Sequence, residues 1–401
     1  MVTDSQLADL HSALTASRPG YLADLEALVN IDCGTFNKAG VDEVGRWVAT
    51  QMRELGASVE VVANDTLGDT LVCVLEGSGS RKGLLVGHLD TVFPDGTVAE
   101  RPFRSDGGRA YGPGVDDMKG GLLTGLYALR ALRSTRGGGT PQKWLPYGRL
   151  TFVANSDEEI GSPSSTPVIK RVAADADLAL VLESARENGD IVSARKGIAD
   201  FRLTVNGRAA HAGVEPEKGR SATLEAAHKT LALHALNGRW PGVTVNVGVL
   251  RGGTRTNVVA ETCSLDVDLR ATTVSGLEAA EAAIREIALS STVPDTTCDI
   301  ELAHHWAPME KTPAIAALAE LAISLAGRVG YDLRDAATGG ASDANTTSGM
   351  GVPSLDGLGP VGGADHAPGE YLEISSIVPR TTLFAALLLA AAEPEADFPS
   401  A

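Results

Sequence analysis

Cysteine is scarce: Cys33, Cys73, Cys263 and Cys298 are all there are in 401 residues, and no two form a Cys-x-x-Cys pair. Thiols so scattered fit reduced, buried packing residues and a cytoplasmic location, and they leave His, Asp and Glu as the ligands of any metal. Basic residues are also in deficit. A formal net charge of -17 repels phosphate backbones and anionic lipid, so neither nucleic acid nor a membrane is an expected partner. Uninterrupted apolar runs of the ~18 residues a spanning helix needs are missing too. The opening stretch, Met1 to Leu14, carries Asp4 and Asp9 where a secretion signal would place basic residues and an apolar block. It is expected to form the first helix.

What is present points to two domains, because a chain of this length exceeds what one hydrophobic core usually serves. Up to about Ser193 short apolar runs (Leu84 to Val86, Leu150 to Ala154, Leu178 to Leu182) alternate with helical patterns, as in an α/β domain with a mixed, largely parallel sheet. The spacing of Leu122, Leu123, Leu126 and Leu129 predicts a helix over Met118 to Leu132, followed by a loop at Gly137 to Gly139. From about Gly197 the order becomes strand 198–205, helix 220–235, strand 243–250, strand 262–270, helix 274–290, strand 296–303. This β-α-β-β-α-β order is the ferredoxin-like, split-βαβ unit, an α+β domain in its own right. After Pro313 a helix (Ala314 to Ala326), a strand near Pro353 to Leu355 and a final helix from Ile374 are expected. The second domain therefore reads as an insertion, with residues 1–196 and 309–401 forming one domain and 197–308 the other.

Several groups of metal-ligating side chains stand at strand ends or in loops. His88 and Asp90 follow Leu84 to Val86; Asp157-Glu158-Glu159 follows the strand ending at Ala154; Glu183 follows Leu182. Asp116 and Asp117 lie in a Gly-rich turn before a helix, and His366 in a Gly- and Pro-rich loop. Each has an ordinary explanation when taken singly: a structural histidine, a helix cap, a solvated acid. Together they do not, because a sheet gathers such ends into one crevice. Two His and several carboxylates can hold two divalent ions about a shared carboxylate, with one acid left as a base. Zinc suits that donor set, and cobalt or manganese can occupy it.

Gly87-His-Leu-Asp-Thr-Val92, Gly112-Pro-Gly-Val-Asp-Asp-Met-Lys-Gly-Gly121, Asp157-Glu-Glu-Ile-Gly161, Glu183, Gly207-Arg-Ala-Ala-His-Ala-Gly213 and His366 come in the order of the M20 metallopeptidases. From about residue 20 to 392 the chain resembles that family, in its glutamate-carboxypeptidase-like branch. The resemblance implies a di-zinc aminopeptidase-like catalytic domain and an inserted lid that mediates homodimerisation. It implies that His88 and Glu183 hold one zinc, Glu159 and His366 the other, and that Asp117 bridges them. Glu158 is then the general base, and Asp90 the residue that orients His88. The same pattern implies a cis peptide between Asp117 and Met118. On the lid, His211 resembles a histidine that reaches the partner subunit's active site. Asn257 and Arg270 resemble residues that grip a free carboxylate, and Gly339 and Gly340 a loop lining the site. An ion pair of Arg270 with Asp266 or Asp268 is the plain alternative. For a second substrate carboxylate the stretches 187–191 and 304–306 offer no clear cation, which leaves Arg186, Arg195 and Lys196.

Three functions follow for comparison. One is a zinc carboxypeptidase or hydrolase of N-acyl amino acids with a free α-carboxylate. A second is an M20-type dipeptidase, aminoacylase or other small-molecule amidohydrolase. The third is a metal-stabilised binding protein without catalysis, against which the presence of Glu158 beside all five ligands argues.

Overall fold

Aliphatic residues buried on both faces build the strands that carry the site. The computed structural model describes residues 2–393. The chain divides into two compact units, Met1–Ser193 with Lys311–Ala337 and Ser342–Ala401, and Ala194–Glu310 with Thr338–Ala341. The short segment Thr338–Ala341, read from sequence as part of the first domain, thus packs with the second.

The first unit holds a six-stranded sheet in the spatial order Ser58–Val62, Thr70–Glu76, Arg149–Asn155, Lys82–His88, Leu178–Val181, Ser354–Leu355. The last four strands run parallel, Thr70–Glu76 pairs antiparallel with Arg149–Asn155, and Ser58–Val62 pairs antiparallel with Thr70–Glu76. Burial explains which of them the sequence displayed. In Lys82–His88 all but the first residue is buried and in Leu178–Val181 all are, so these read as continuous apolar runs. The edge strand Ser58–Val62 is largely exposed and carries little apolar signal.

Parallel register brings three chain exits to one edge: His88 stands beside Asn155, and Val86 beside Val181, just before Glu183. Helix Gly121–Thr135 packs its leucines (Leu122, Leu123, Leu126, Leu129 and Leu132, all buried) into the core of this unit. It begins three residues later than the leucine spacing predicted. Val115–Gly120 forms a distorted turn in which Asp117 and Met118 have non-helical backbone angles and are joined by a cis peptide. Gly121 is required at the junction, since a Cβ there would lie 1.8 Å from the Leu182 carbonyl oxygen. This close approach packs the helix start against the strand that delivers Glu183. The fully buried Tyr21 of helix Asp4–Val29 donates its hydroxyl to the Gly120 carbonyl at 2.6 Å and fixes the turn from the other side.

One helix, Ile374–Ala391, is apolar and long enough to cross a membrane, yet 83% of it is buried in the protein, which makes it a core helix. Its Arg380, also buried, donates to the carbonyls of Gly359, Gly189 and Gly357, so its charge is dispersed over backbone dipoles rather than left unpaired. Cys33, Cys73 and Cys263 are buried, and Cys298 is half-buried.

The second unit is a four-stranded antiparallel sheet ordered Thr244–Gly252, Thr262–Ala271, Gly197–Asn206, Thr297–Trp306. Alternate residues Ala199, Phe201, Leu203 and Val205 pack with Ala222, Ala226 and Leu233 of helix Ala222–His234 and with Leu277, Ala280 and Ile284 of helix Val274–Leu289. Ser221 and Thr273 cap the two helices. The order of elements is the one the sequence pattern gives.

Candidate metal centre

His88 is the last residue of its strand and is buried, and its ring orientation is set from behind. The Nδ1–H donates to the Asp90 carbonyl oxygen at 3.0 Å, which turns Nε2 towards the carboxylates. That Nε2 lies 2.9 Å from Asp117 Oδ1 and 3.7 Å from Glu183 Oε1. Across the site, His366 Nε2 is 3.1 Å from Asp117 Oδ2 and 3.1 Å from Glu159 Oε2. The two oxygens of Asp117 therefore face two different histidines, each of which has its own second carboxylate.

Two overlapping sets of potential ligand atoms, those of His88, Glu158 and Glu183 and those of His88, Asp117 and Glu159, lie within 4.8 Å of one another. Glu159 Oε1 is buried and without a hydrogen-bond partner, as a ligand oxygen prepared for a cation is expected to be. The donor set thus fits divalent metal.

The electrostatics of the metal-free cluster tell the same story. Burial opposes charging His88, but Glu183, Asp117 and Asp90 together raise its pKa well above the usual histidine value. For His366 the hydrogen bonds to Asp117 and Glu159 are the main cause, and its pKa is pushed up to about 10. Burial alone would raise Asp117, yet the two histidines hold it below the usual carboxylate range. Glu158 goes the other way: burial and then the neighbouring Glu183 raise it well above the ordinary value. Carboxylates this close repel one another unless positive charge intervenes, which is the charge a divalent ion would supply.

Asp90 supports the centre somewhat differently from the expectation. Its carboxylate is 3.4 Å from His88 Nδ1, and its closer bonds are to the Thr35 hydroxyl at 2.6 Å and to the N–H groups of Glu158 and Glu159 at 3.2 and 3.3 Å. It orients His88 through its backbone carbonyl and holds the turn bearing the two glutamates with its side chain. Asp116, the alternative to Asp117, is fully buried and takes no part in the histidine contacts; burial and then Asp365 and Glu370 raise its pKa well above the usual range.

Two supporting acids escaped the sequence reading. Glu370 is buried and accepts from the N–H groups of Gly114 (2.9 Å), Asp116 (2.9 Å) and Asp117 (3.1 Å), which fixes the loop that presents Asp117. Burial raises it to about 7 against the effect of those three bonds. Asp343 is buried, accepts from Ser162 Oγ at 2.6 Å and from the Asn155 amide, and is raised by burial to about 7. A lone acid in a loop has no sequence signature for this role; only a site already located would direct attention to residues four beyond His366.

The remaining candidates belong to the second unit. His211 and Asn257 are neighbours there, since the Ala212 N–H donates to the Asn257 carbonyl at 3.0 Å. Both side chains are exposed. Arg270 pairs with Asp268 at 3.0 Å and donates from Nη1 to the Gly339 carbonyl at 3.0 Å. The ion pair named as the plain alternative therefore exists, and a ligand carboxylate would have to displace Asp268. Arg195 donates to the Gly340 carbonyl at 3.1 Å. In neither glycine would a Cβ clash, so these positions are not glycine for steric reasons.

Comparison with known proteins follows the same line. Residues 84–390 match the family described as Peptidase family M20/M25/M40. The chain is 30% identical over 388 residues to carboxypeptidase G2 of Pseudomonas sp. (strain RS-16), covering 95% of this chain and 91% of that one. To acetylornithine deacetylase of Proteus mirabilis it is 29% identical over 250 residues, 58% of this chain and 60% of the relative. Among solved structures, aminopeptidase PepT from Bacillus cereus superposes with a TM-score of 0.76 at 25% identity, covering 94% of this chain and 99% of that one.

Proposed function

The chain belongs to peptidase family M20/M25/M40, and from that premise we propose that it is a two-metal hydrolase that releases an amino acid with a free α-carboxylate from a peptide or an N-acyl amino acid. The observation that carries the proposal is the division of Asp117, one oxygen 2.9 Å from His88 and the other 3.1 Å from His366. In this reading His88 and Glu183 would hold one ion and His366 and Glu159 the other, with Asp117 shared between them. Zinc is the ion of choice for these donors, and cobalt or manganese are compatible with them. Divalent ions supply Lewis acidity when bound, polarising the amide carbonyl and lowering the pKa of water towards ~7.

The chain's own groups do the rest. Glu158, whose carboxyl burial and the neighbouring Glu183 hold above its ordinary range, would as a carboxylate take the proton of the attacking water and pass it to the leaving nitrogen. Asp90 and Glu370 keep the reacting groups in place from behind. Arg270 and Asn257 are assigned the substrate carboxylate, for which a guanidinium fork is suited, with Gly339 and Gly340 beside it. His211 is assigned to the oxyanion, donated across a homodimer formed through the second unit.

A second reading, hydrolysis of small N-acyl compounds as by a deacetylase, is favoured by the similarity to acetylornithine deacetylase. Matched amides with and without the α-carboxylate separate the two, because indifference to its removal contradicts the first. The shared chemistry is tested by Glu158→Gln. Metal content should stay at the wild-type level while kcat falls by ~10²–10⁴-fold, the usual contribution of a general base. An unchanged rate removes Glu158 from the mechanism.

A further inference from the structure

Beside the metal centre lies a cavity of about 480 Å³ whose walls include Phe36, Val92, Phe93 and Ile160 together with Glu159 of the centre. Three of these side chains face solvent: Phe36 is 78% exposed, Val92 40% and Ile160 38%. Single exposed apolar residues are unremarkable, but a cluster from three separate loops around one cavity marks a binding surface. The loops are fixed rather than loose. Thr35 N–H donates to the Thr91 carbonyl at 3.1 Å and Thr91 N–H to the Cys33 carbonyl at 3.0 Å. Gly34 keeps the floor flush, since a Cβ there would lie 2.2 Å from the Phe93 carbonyl oxygen. The polar groups at the rim, Asn37 and Asp95, satisfy each other at 2.7 Å. The wall is also wired to the centre, because the Thr35 hydroxyl donates to the Asp90 carboxylate that holds the Glu158–Glu159 turn.

We infer that this cavity receives the acyl side of the substrate and selects a bulky apolar group, branched aliphatic or aromatic, over acetyl. The inference rests on the hydrolase reading above and names the substrate class for it. Charge decides the side. The leaving amino acid carries a carboxylate, which a cavity without a cation and lined by Glu159 cannot pair; the acyl group carries none. A largely apolar pocket whose polar groups are few discriminates by size and apolar contact.

The test uses the zinc-loaded enzyme with N-benzoyl- and N-acetyl-L-alanine and their L-glutamate counterparts. Wild type should show a benzoyl-to-acetyl ratio of kcat/KM of at least about 10-fold, within the range one pocket provides. Phe36→Ala should bring the ratio towards one with an unchanged Tm, since Phe36 contributes little to the core. Binding of the same pairs to Glu158→Gln by calorimetry reads the preference without turnover. Equal binding of benzoyl and acetyl, no binding of either, or a ratio unmoved by Phe36→Ala overturns the inference. If wild type hydrolyses none of the amides but Glu158→Gln still prefers benzoyl, the hydrolase reading fails and the apolar site stands.

Discussion

The carboxylates gathered around His88 and His366 favour the protonated forms of both rings, and this has a measurable consequence at the level of single residues. At pH 7 His366, with a pKa of about 10, holds a proton before a cation binds, and the carboxylates around His88 shift it in the same direction. A cation must displace those protons, so metal affinity rises with pH, by ~tenfold per unit for each proton displaced, until the histidine pKa is passed. Calorimetric zinc titrations in buffers of different ionisation enthalpy should register proton release at pH 7, and His366→Ala should lower the number released by about one. Release that is unaffected by His366→Ala would remove this histidine from the site. The residues at issue were legible in the sequence because each follows an apolar strand or sits in a Gly-rich turn. Glu370 and Asp343 were not, because their importance lies in burial and in partners they meet only after folding, backbone N–H groups for Glu370 and the Ser162 hydroxyl and Asn155 amide for Asp343.

Elements place these side chains by close packing, and the junction of helix Gly121–Thr135 with the strand ending before Glu183 is the tightest instance. Gly121→Val puts atoms where the Leu182 carbonyl stands and should cost roughly 1–3 kcal/mol of stability, as overpacked sites do, together with a loss of metal at the Glu183 side. Leu126→Ala, in the same helix and buried in the core, should cost about 2–5 kcal/mol and leave metal stoichiometry intact. Denaturant unfolding and elemental analysis of the two variants separate packing from positioning; equal metal loss in both would contradict the geometry described. Apolar spacing gave this helix but not its start. The distortion at Asp117 and Met118 changes backbone angles without changing which residues are apolar. The antiparallel strands Ser58–Val62 and Thr70–Glu76 escaped for a different reason, the first being too exposed to leave a run of apolar residues.

At the scale of the whole molecule, the change from short continuous apolar runs to alternating patterns after about residue 197 was readable, since a sheet with one covered face alternates and a doubly covered one does not. The proposed dimer makes a sharper claim than mass alone. If His211 serves the partner subunit, Glu158→Gln and His211→Ala are each inactive, but a heterodimer of the two contains one intact site. Random exchange at equal concentration should restore about a quarter of wild-type activity, as symmetry requires. No recovery from subunits shown to exchange would place His211 outside the partner's site.

The central claim is that Asp117 joins two cations, and an anomalous-difference map of zinc-loaded crystals measured across the zinc edge tests it most directly. Two peaks roughly 3.5–4 Å apart, one between His88 and Glu183, the other between His366 and Glu159, and both against Asp117, are the expected result. A single peak, or two that do not share Asp117, would contradict the account.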